Sequence, residues 1–231
     1  MPRFLVTLVL VFLFVAPLSN AQSPSCDFCK RSVAGEFGTH AVALPDGRRL
    51  CEHCAATSVT TSARTQDVAG LVASSLDGHG VSVAVEGITF FLVPQDKLDR
   101  MSPDPARHTL GFINYAINSQ TDDVAHYKIT VLNGMPELQL ASVLAHQMMH
   151  VWLVRAGVRA TGTPWIEGSC EYASFLVMSD VNTPESQFVM QNIEANADSI
   201  CGDGFRTVKQ FVAKHGVEGW LDALVPPPAG E

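Results

Sequence analysis

Two histidines four residues apart, His146 and His150, sit inside Leu144–Val151, which reads LAHQMMHV. On an α-helix that spacing puts both imidazoles on one face, close enough to share a metal ion. It is the spacing of H-E-x-x-H, the zinc-peptidase pattern in which the Glu is the general base. Here Gln147 stands at the Glu position. A Gln amide can hydrogen-bond a metal-bound water but cannot take its proton. Loss of a general base costs about 10²–10⁴-fold in rate. Zinc affinity is expected to survive, because Gln147 is not a ligand. A catalytic zinc needs a third protein ligand. Glu167, in Trp165-Ile166-Glu167-Gly168, would face the pair if a helix–turn–helix fills the interval. Glu171, one turn further on, is its rival, and its helix position favours a supporting role over that of a substitute base.

A second cluster lies upstream. Cys26-Asp27-Phe28-Cys29 and Cys51-Glu52-His53-Cys54 are C-x-x-C pairs about twenty residues apart, the pattern of a four-thiolate zinc site. Between them, Leu44-Pro45-Asp46-Gly47-Arg48 supplies a hairpin turn, since Asp-Gly accommodates positive φ. Disulfides are the competing chemistry in an oxidising compartment. A redox C-x-x-C is a third option, weakened because no thioredoxin-like βαβ pattern accompanies it. His40 and His53 lie nearby. Four thiolates already complete a tetrahedron, so both are read as surface residues.

The elements that must position these groups follow from pattern. Residues 1–21 have the form of a secretory signal peptide: Arg3, an apolar run from Phe4 to Ala16, Pro17, then Ser19-Asn20-Ala21 for cleavage. The run is short of the about 17–25 residues that span a bilayer, and no later stretch is long and apolar enough. Thr57–Thr65 reads as a connection or helix edge, and Asp67–Leu76 as a helix. Val81–Val85 and Ile88–Val93 read as strands joined at Glu86-Gly87. Gly111–Ile117 and His126–Leu132 read as further strands, with 102–108 irregular. Asn133–Pro136 turns into the central helix, which runs to about Ala156 with Gly157 as its cap. Apolar residues around much of its circumference make it a buried helix, in which Met148 and Met149 fill core space. Thr163-Pro164 starts the next helix, and another covers about 186–197. Cys201–Gly204 reads as a tight turn. Helical segments over 205–215 and 217–225 follow, and Pro226-Pro227-Pro228 ends the ordered chain.

The composition agrees with a folded core: 47% of the 231 residues are hydrophobic, and mean hydropathy is +0.16. A formal net charge of −8 with no basic run argues against non-specific nucleic-acid binding.

These motifs together resemble the DA-one family, LIM-domain-containing, ubiquitin-activated zinc peptidases that limit organ growth in plants. The family's Asp-Gly-Arg-x-Leu-Cys tract is similar to Asp46–Cys51, and its L-A-H-E-M-M-H-x-W-L core to Leu144–Leu153 apart from the Glu. Its Gly-x-Pro lead-in resembles Gly134-Met135-Pro136. Its E-G-x-C segment resembles Glu167–Cys170, and its G-D-G-F-R segment Gly202–Arg206. The likeness covers about residues 26–225. It implies that His146, His150 and Glu167 hold a catalytic-type zinc, and that Cys26, Cys29, Cys51 and Cys54 hold a structural zinc as half a LIM domain does. It implies that Cys170 is a packed helix residue rather than a disulfide partner of Cys201. The sequence departs from the family in having one knuckle instead of a full LIM domain, no upstream ubiquitin-interacting motifs, a leading signal peptide, and Gln147. Ubiquitin activation is therefore not transferred.

The expected architecture is α+β: signal peptide 1–21, LIM-like four-Cys module 22–62, zincin-like metallopeptidase domain 63–225 and a tail 226–231. His126–Leu132 is expected as the edge strand on which an extended peptide would add. Tyr172, His126 and Arg206 are unranked candidates for transition-state stabiliser, and a direct role for His108 or His126 is disfavoured. The leading functional expectation is a secreted, zinc-binding pseudopeptidase that takes a peptide or protein in its cleft, with no nucleic acid and no membrane span after signal cleavage. A weakly active endopeptidase is the alternative, and a disulfide-stabilised secreted module without catalytic-type zinc is the third reading.

Overall fold

The computed structural model describes residues 25–33, 41–102, 109–117, 124–159 and 162–225. The expected signal segment, His40, His108 and the tail lie outside the described residues. At the Asp46-Gly47 turn, Gly47 takes φ +88°, and the flanking strands β1 (Val42–Ala43) and β2 (Arg49–Leu50) pair antiparallel. There follow α1 (Glu52–Ala56), β3 (Ser58–Val59) and α2 (Ser62–Gly78). Thr61 caps α2 by accepting from Arg64 N, which resolves the 57–65 stretch into a bridge strand and a helix start.

The next elements are β4 (Ile88–Val93), α3 (Gln95–Met101), β5 (Gly111–Ile117), β6 (Val124–Leu132) and β7 (Met135–Pro136). Over these elements the sequence expectation differs in three places. First, Val81–Val85 is not a strand, and no hairpin joins it to β4, because β4 pairs parallel with β6 instead. Val81 and Val83 still supply core side chains at 0% and 4% exposure. Second, α3 was not anticipated: the strand does stop at Pro94, but the chain enters a helical turn there. Third, β6 is not an edge. The sheet order is β4–β6–β5, with Phe90 opposite Ile129 on one side and Gly111 opposite Val131 on the other. The unbroken buried run Ile129–Leu132 marks a strand covered on both faces, the pattern of a central strand.

The helical layer comprises α4 (Glu137–Arg155), α5 (Pro164–Val181), α6 (Pro184–Glu194) and α7 (Cys201–Leu224). Helix α4 lies in the core against α2, α5 and β5, and its residues are buried nearly all round. Gly157 beyond its end has φ +83°, as a helix stop requires. Cys201–Gly204 is not a tight turn but the first turn of α7: Asp198 Oδ1 accepts from Ile200 N and Cys201 N and fixes the helix start. Gly204 has a packing task instead. A Cβ on Gly168 would overlap the Gly204 backbone, and one on Gly204 would overlap the Pro164 carbonyl, so α5 and α7 touch backbone to backbone. Helix α7 breaks at Gly216, φ +76°, between the two segments read from the sequence.

The cysteine module is fastened to this body. Asp46 receives Arg48 Nη2 at 2.7 Å and Gln95 N at 3.3 Å, while Arg48 Nη2 also donates to Asn133 O at 2.5 Å. Strand β3 pairs with β7. The hairpin turn is thereby docked on the turn that leads into α4.

Candidate metal centres

In the first cluster the Sγ atoms of Cys26, Cys29, Cys51 and Cys54 all lie within 4.8 Å of one another, and Cys29 and Cys51 are 3.6 Å apart. Zn–S bonds of about 2.3 Å in a tetrahedron put sulfurs about 3.8 Å apart, so the donors fit that ion. The backbone builds the two knuckles: Lys30 N donates to Cys26 O, Ala55 N to Cys51 O, and Asp27 N reaches across to Arg49 O. Burial opposes ionisation of Cys26, but backbone N–H groups outweigh it and bring the thiol down to about 7. Burial and the three neighbouring sulfurs push Cys54 far up. Such crowding of thiols is relieved by a cation. His53 lies outside the cluster, exposed and 3.6 Å from Glu185.

The second cluster forms where α4 crosses α5. His146 Nε2 and His150 Nε2 each stand 3.4 Å from Glu167 Oε2. Donors about 2.0–2.1 Å from a tetrahedral zinc are about 3.3 Å apart, which the two contacts of Glu167 match. The other Glu167 oxygen accepts from Gly162 N at 2.9 Å, which fixes the carboxylate at the first turn of α5. Thr163 caps that turn, so the Thr-Pro start sets the direction in which Glu167 returns. Glu171 occupies the far side of His146, with Oε1 3.5 Å from Nδ1. A carboxylate there holds the ring with Nδ1 protonated and Nε2 free for a metal.

Burial works against a charged His146, but Glu167 and Glu171 prevail and hold it up at about 9. At His150 burial prevails over Glu167 and lowers the pKa. Burial opposes ionisation of Glu167, yet its two histidine partners hold it well below the usual carboxylate range. The pocket therefore keeps an anion facing two imidazoles, an arrangement a divalent cation can replace.

Gln147, 7% exposed, does not stand free beside the pair: Nε2 donates to Gly111 O at 3.2 Å. This is possible because Gly111 lets β5 pass close to α4; a Cβ there would meet Val143 Cγ1 at 2.9 Å and Thr130 O at 3.0 Å. Sequence reasoning weighed Gln147 only as a missing base and not as a tie to a strand.

It also took Cys170 only as a packing residue. Cys170 is fully buried, but its Sγ lies within 4.8 Å of a ring nitrogen of each histidine. Burial, then Glu167 and Glu171, push its thiol well above the ordinary range. The sequence signal was present, since 167, 170 and 171 share one helical face.

The three stabiliser candidates have other partners. Tyr172 packs with Phe175, Phe205 and Trp220. His126 bonds Thr89 Oγ1 on the sheet. Arg206 donates to Glu194 O and Asn196 O. A separate groove of about 650 Å³ between the cysteine module and the starts of α4 and α6 is lined by Phe28, Cys54, Leu138 and Phe188, and by neither histidine of the pair.

Fold and sites define a mixed α+β protein with two candidate metal centres. Residues 78–185 match the DA1-like family, described as Protein DA1. The chain is 31% identical over 127 residues to Protein DA1-related 1 of Arabidopsis thaliana, covering 42% of this chain and 23% of that protein. It is 24% identical over 263 aligned positions to Protein DA1 of the same plant, covering 87% and 48%. The LIM domain-containing protein HDR3 of Oryza sativa subsp. japonica is 26% identical over 132 residues, covering 42% and 26%. The chain thus spans about half or less of each of these relatives. No solved structure matches.

Proposed function

We propose that this chain is a secreted, zinc-binding DA1-like protein with a zincin-like metal site, a pseudopeptidase that binds a peptide or protein segment without hydrolysing it. The observation that carries this reading is the division of labour on α4. His146 and His150 face Glu167 at zinc-donor spacing, while Gln147 between them is engaged with Gly111 O. His146, His150 and Glu167 hold one zinc, and Cys26, Cys29, Cys51 and Cys54 hold a structural one. A LIM domain-containing relative supports zinc at the cysteines. Bound at the histidines, zinc would lower the pKa of a water and polarise a carbonyl. The chain's own part is to take a proton from that water, and Gln147 has no basic site for it. The peptide would lie along β5, which is an edge strand among the described residues and begins against Gln147.

Zinc content and chelator-sensitive proteolysis test this. The mature chain is expected to hold two zinc ions, to lose one in His146→Ala, and to cleave no peptide. Chelator-sensitive cleavage by the natural sequence would make it an endopeptidase instead, and absence of zinc would leave the disulfide-stabilised module. Secretion is checked separately by the N-terminus of exported protein, expected at Gln22.

A further inference from the structure

Strand β5 offers a partner fewer backbone groups than its length suggests. Leu132 N donates to Leu110 O at 2.9 Å, one step before the pair Gly111–Val131. In an antiparallel ladder, residues that exchange hydrogen bonds alternate with residues that do not. Phe112, Asn114 and Ala116 therefore turn their N–H and C=O groups inward to β6, while Gly111, Ile113 and Tyr115 turn theirs outward. No described strand pairs with β5 on the outward side.

The outward rungs are not equivalent. The Gly111 carbonyl accepts from Thr109 Oγ1 at 2.6 Å and from Gln147 Nε2 at 3.2 Å, and Gly111 N donates to Thr109 Oγ1 at 3.4 Å. A carbonyl oxygen has two lone pairs, so this rung is full. It is also the rung against the metal-bearing helix, since Gln147 stands between the two histidines of α4. Among the described residues, no hydrogen bond meets the outward groups of Ile113 or Tyr115. The side chains of these two are half-buried against the core, and Asn114 between them is exposed.

We infer that Gln147 sets the register of the bound segment: by filling the Gly111 carbonyl it confines backbone pairing to Ile113 and Tyr115 and keeps the segment off the rung beside the metal. The inference rests on the proposed peptide along β5 and deepens it. Residues directly opposite one another share a face of the sheet. The segment selected is therefore extended, with apolar side chains two residues apart beside Ile113 and Tyr115 and a polar one between them beside Asn114. Paired in this way, it binds without bringing its backbone to the ion. Gln147 is a positioning residue as well as an absent base.

Backbone NMR of the zinc-loaded mature chain reads the register, with acetyl-Lys-Val-Thr-Val-Thr-Val-Lys-amide as the probe. On titration, amide exchange should slow at Ile113 and Tyr115, and the Gly111 carbonyl carbon should not shift. Gln147→Ala, folded and with the same zinc content, should show a probe-induced shift at that carbon. It should bind the probe about 2–10-fold more tightly, the worth of one hydrogen bond, without cleaving it. A packing role alone for Gln147 predicts no such shift and no gain in affinity, and that result overturns the inference. A probe-induced shift at the Gly111 carbonyl of the natural chain, with slowing at Ile113 and Tyr115, overturns the register and leaves the peptide along β5 standing. No slowing at Ile113 or Tyr115 in either chain overturns the peptide along β5 and this inference with it. If Gln147→Ala does not fold, the natural chain decides: slowed amides with an unmoved Gly111 carbonyl support the register, and a moved one excludes it.

Discussion

Replacing Gln147 by Glu restores the residue type that zinc-peptidase chemistry uses, and the structure shows what it costs. Gln147 Nε2 donates to Gly111 O at 3.2 Å in a nearly closed setting. A carboxylate there cannot donate, so the Gly111 carbonyl keeps only its side-chain bond from Thr109 Oγ1, at 2.6 Å, and meets a negative oxygen in place of the amide. Losing one such hydrogen bond costs about 0.5–1.5 kcal/mol. At about 2–4 °C per kcal/mol for a chain of this size, Tm should fall by about 1–6 °C. The carboxylate escapes the clash by turning toward the histidine pair, where a base contributes about 10²–10⁴-fold. Gln147→Glu should therefore be less stable, keep its zinc, and gain or raise chelator-sensitive peptide cleavage, while Gln147→Ala should lose stability and gain nothing. Thermal unfolding, zinc content and a peptide-cleavage assay on the three chains make the comparison. A folded, zinc-loaded Gln147→Glu with unchanged Tm would refute the tie to Gly111. The same protein without activity would refute the view that the missing base is what silences the site.

Glu171→Gln removes the anion behind His146 Nδ1 and should weaken zinc at the histidines by about 10–100-fold, with the cysteine cluster unaffected in a competition titration. Gly168→Ala drives a methyl into the Gly204 backbone. The cost should reach or exceed the about 1–3 kcal/mol of ordinary overpacking, read as a lower denaturant midpoint with unchanged slope. Asp46 is partly buried, which opposes its charge, but Arg48 and Gln95 N prevail and depress its pKa. Its contribution is present above the unfolded carboxylate pKa of about 3.9 and disappears as pH falls through the lower folded value. Asp46→Asn should therefore lower stability at neutral pH by about 1.5–3 kcal/mol, and the difference should vanish in acid, as paired denaturation curves across pH would show.

Much of the site was legible because it depends on local periodicity. Four-residue spacing on a helix puts His146 and His150 on one face whatever surrounds them. Thr163-Pro164 starts a helix wherever it stands, and from that start Glu167 falls in the first turn. The four cysteines and the Asp46-Gly47 turn define their cluster by chain geometry over a short loop. Helices α2, α4, α5 and α6 were likewise visible as apolar patterns with caps at their ends.

The rest depended on partners distant in sequence. The partner of β4 lies nearly forty residues away in β6, so a plausible local hairpin was preferred to the parallel pairing that forms. Whether β6 is edge or centre follows from how many strands find it, and its own residues only hinted at the answer in the run Ile129–Leu132. Cys201–Gly204 carries turn-forming residues, yet the contact of α7 with α5 uses the glycine at 204 for closeness inside a helix. The opposite fates of neighbouring residues on α4 and α5 were also tertiary. The sequence by itself determined that two histidines and a glutamate could meet. Only packing decided that Gln147 reaches Gly111 O, that Glu171 stands behind His146, and that the sulfur of Cys170 points at the same pair. Spacing along one helix fixes which residues share a face, but the identity of the atoms opposite that face is supplied by other elements.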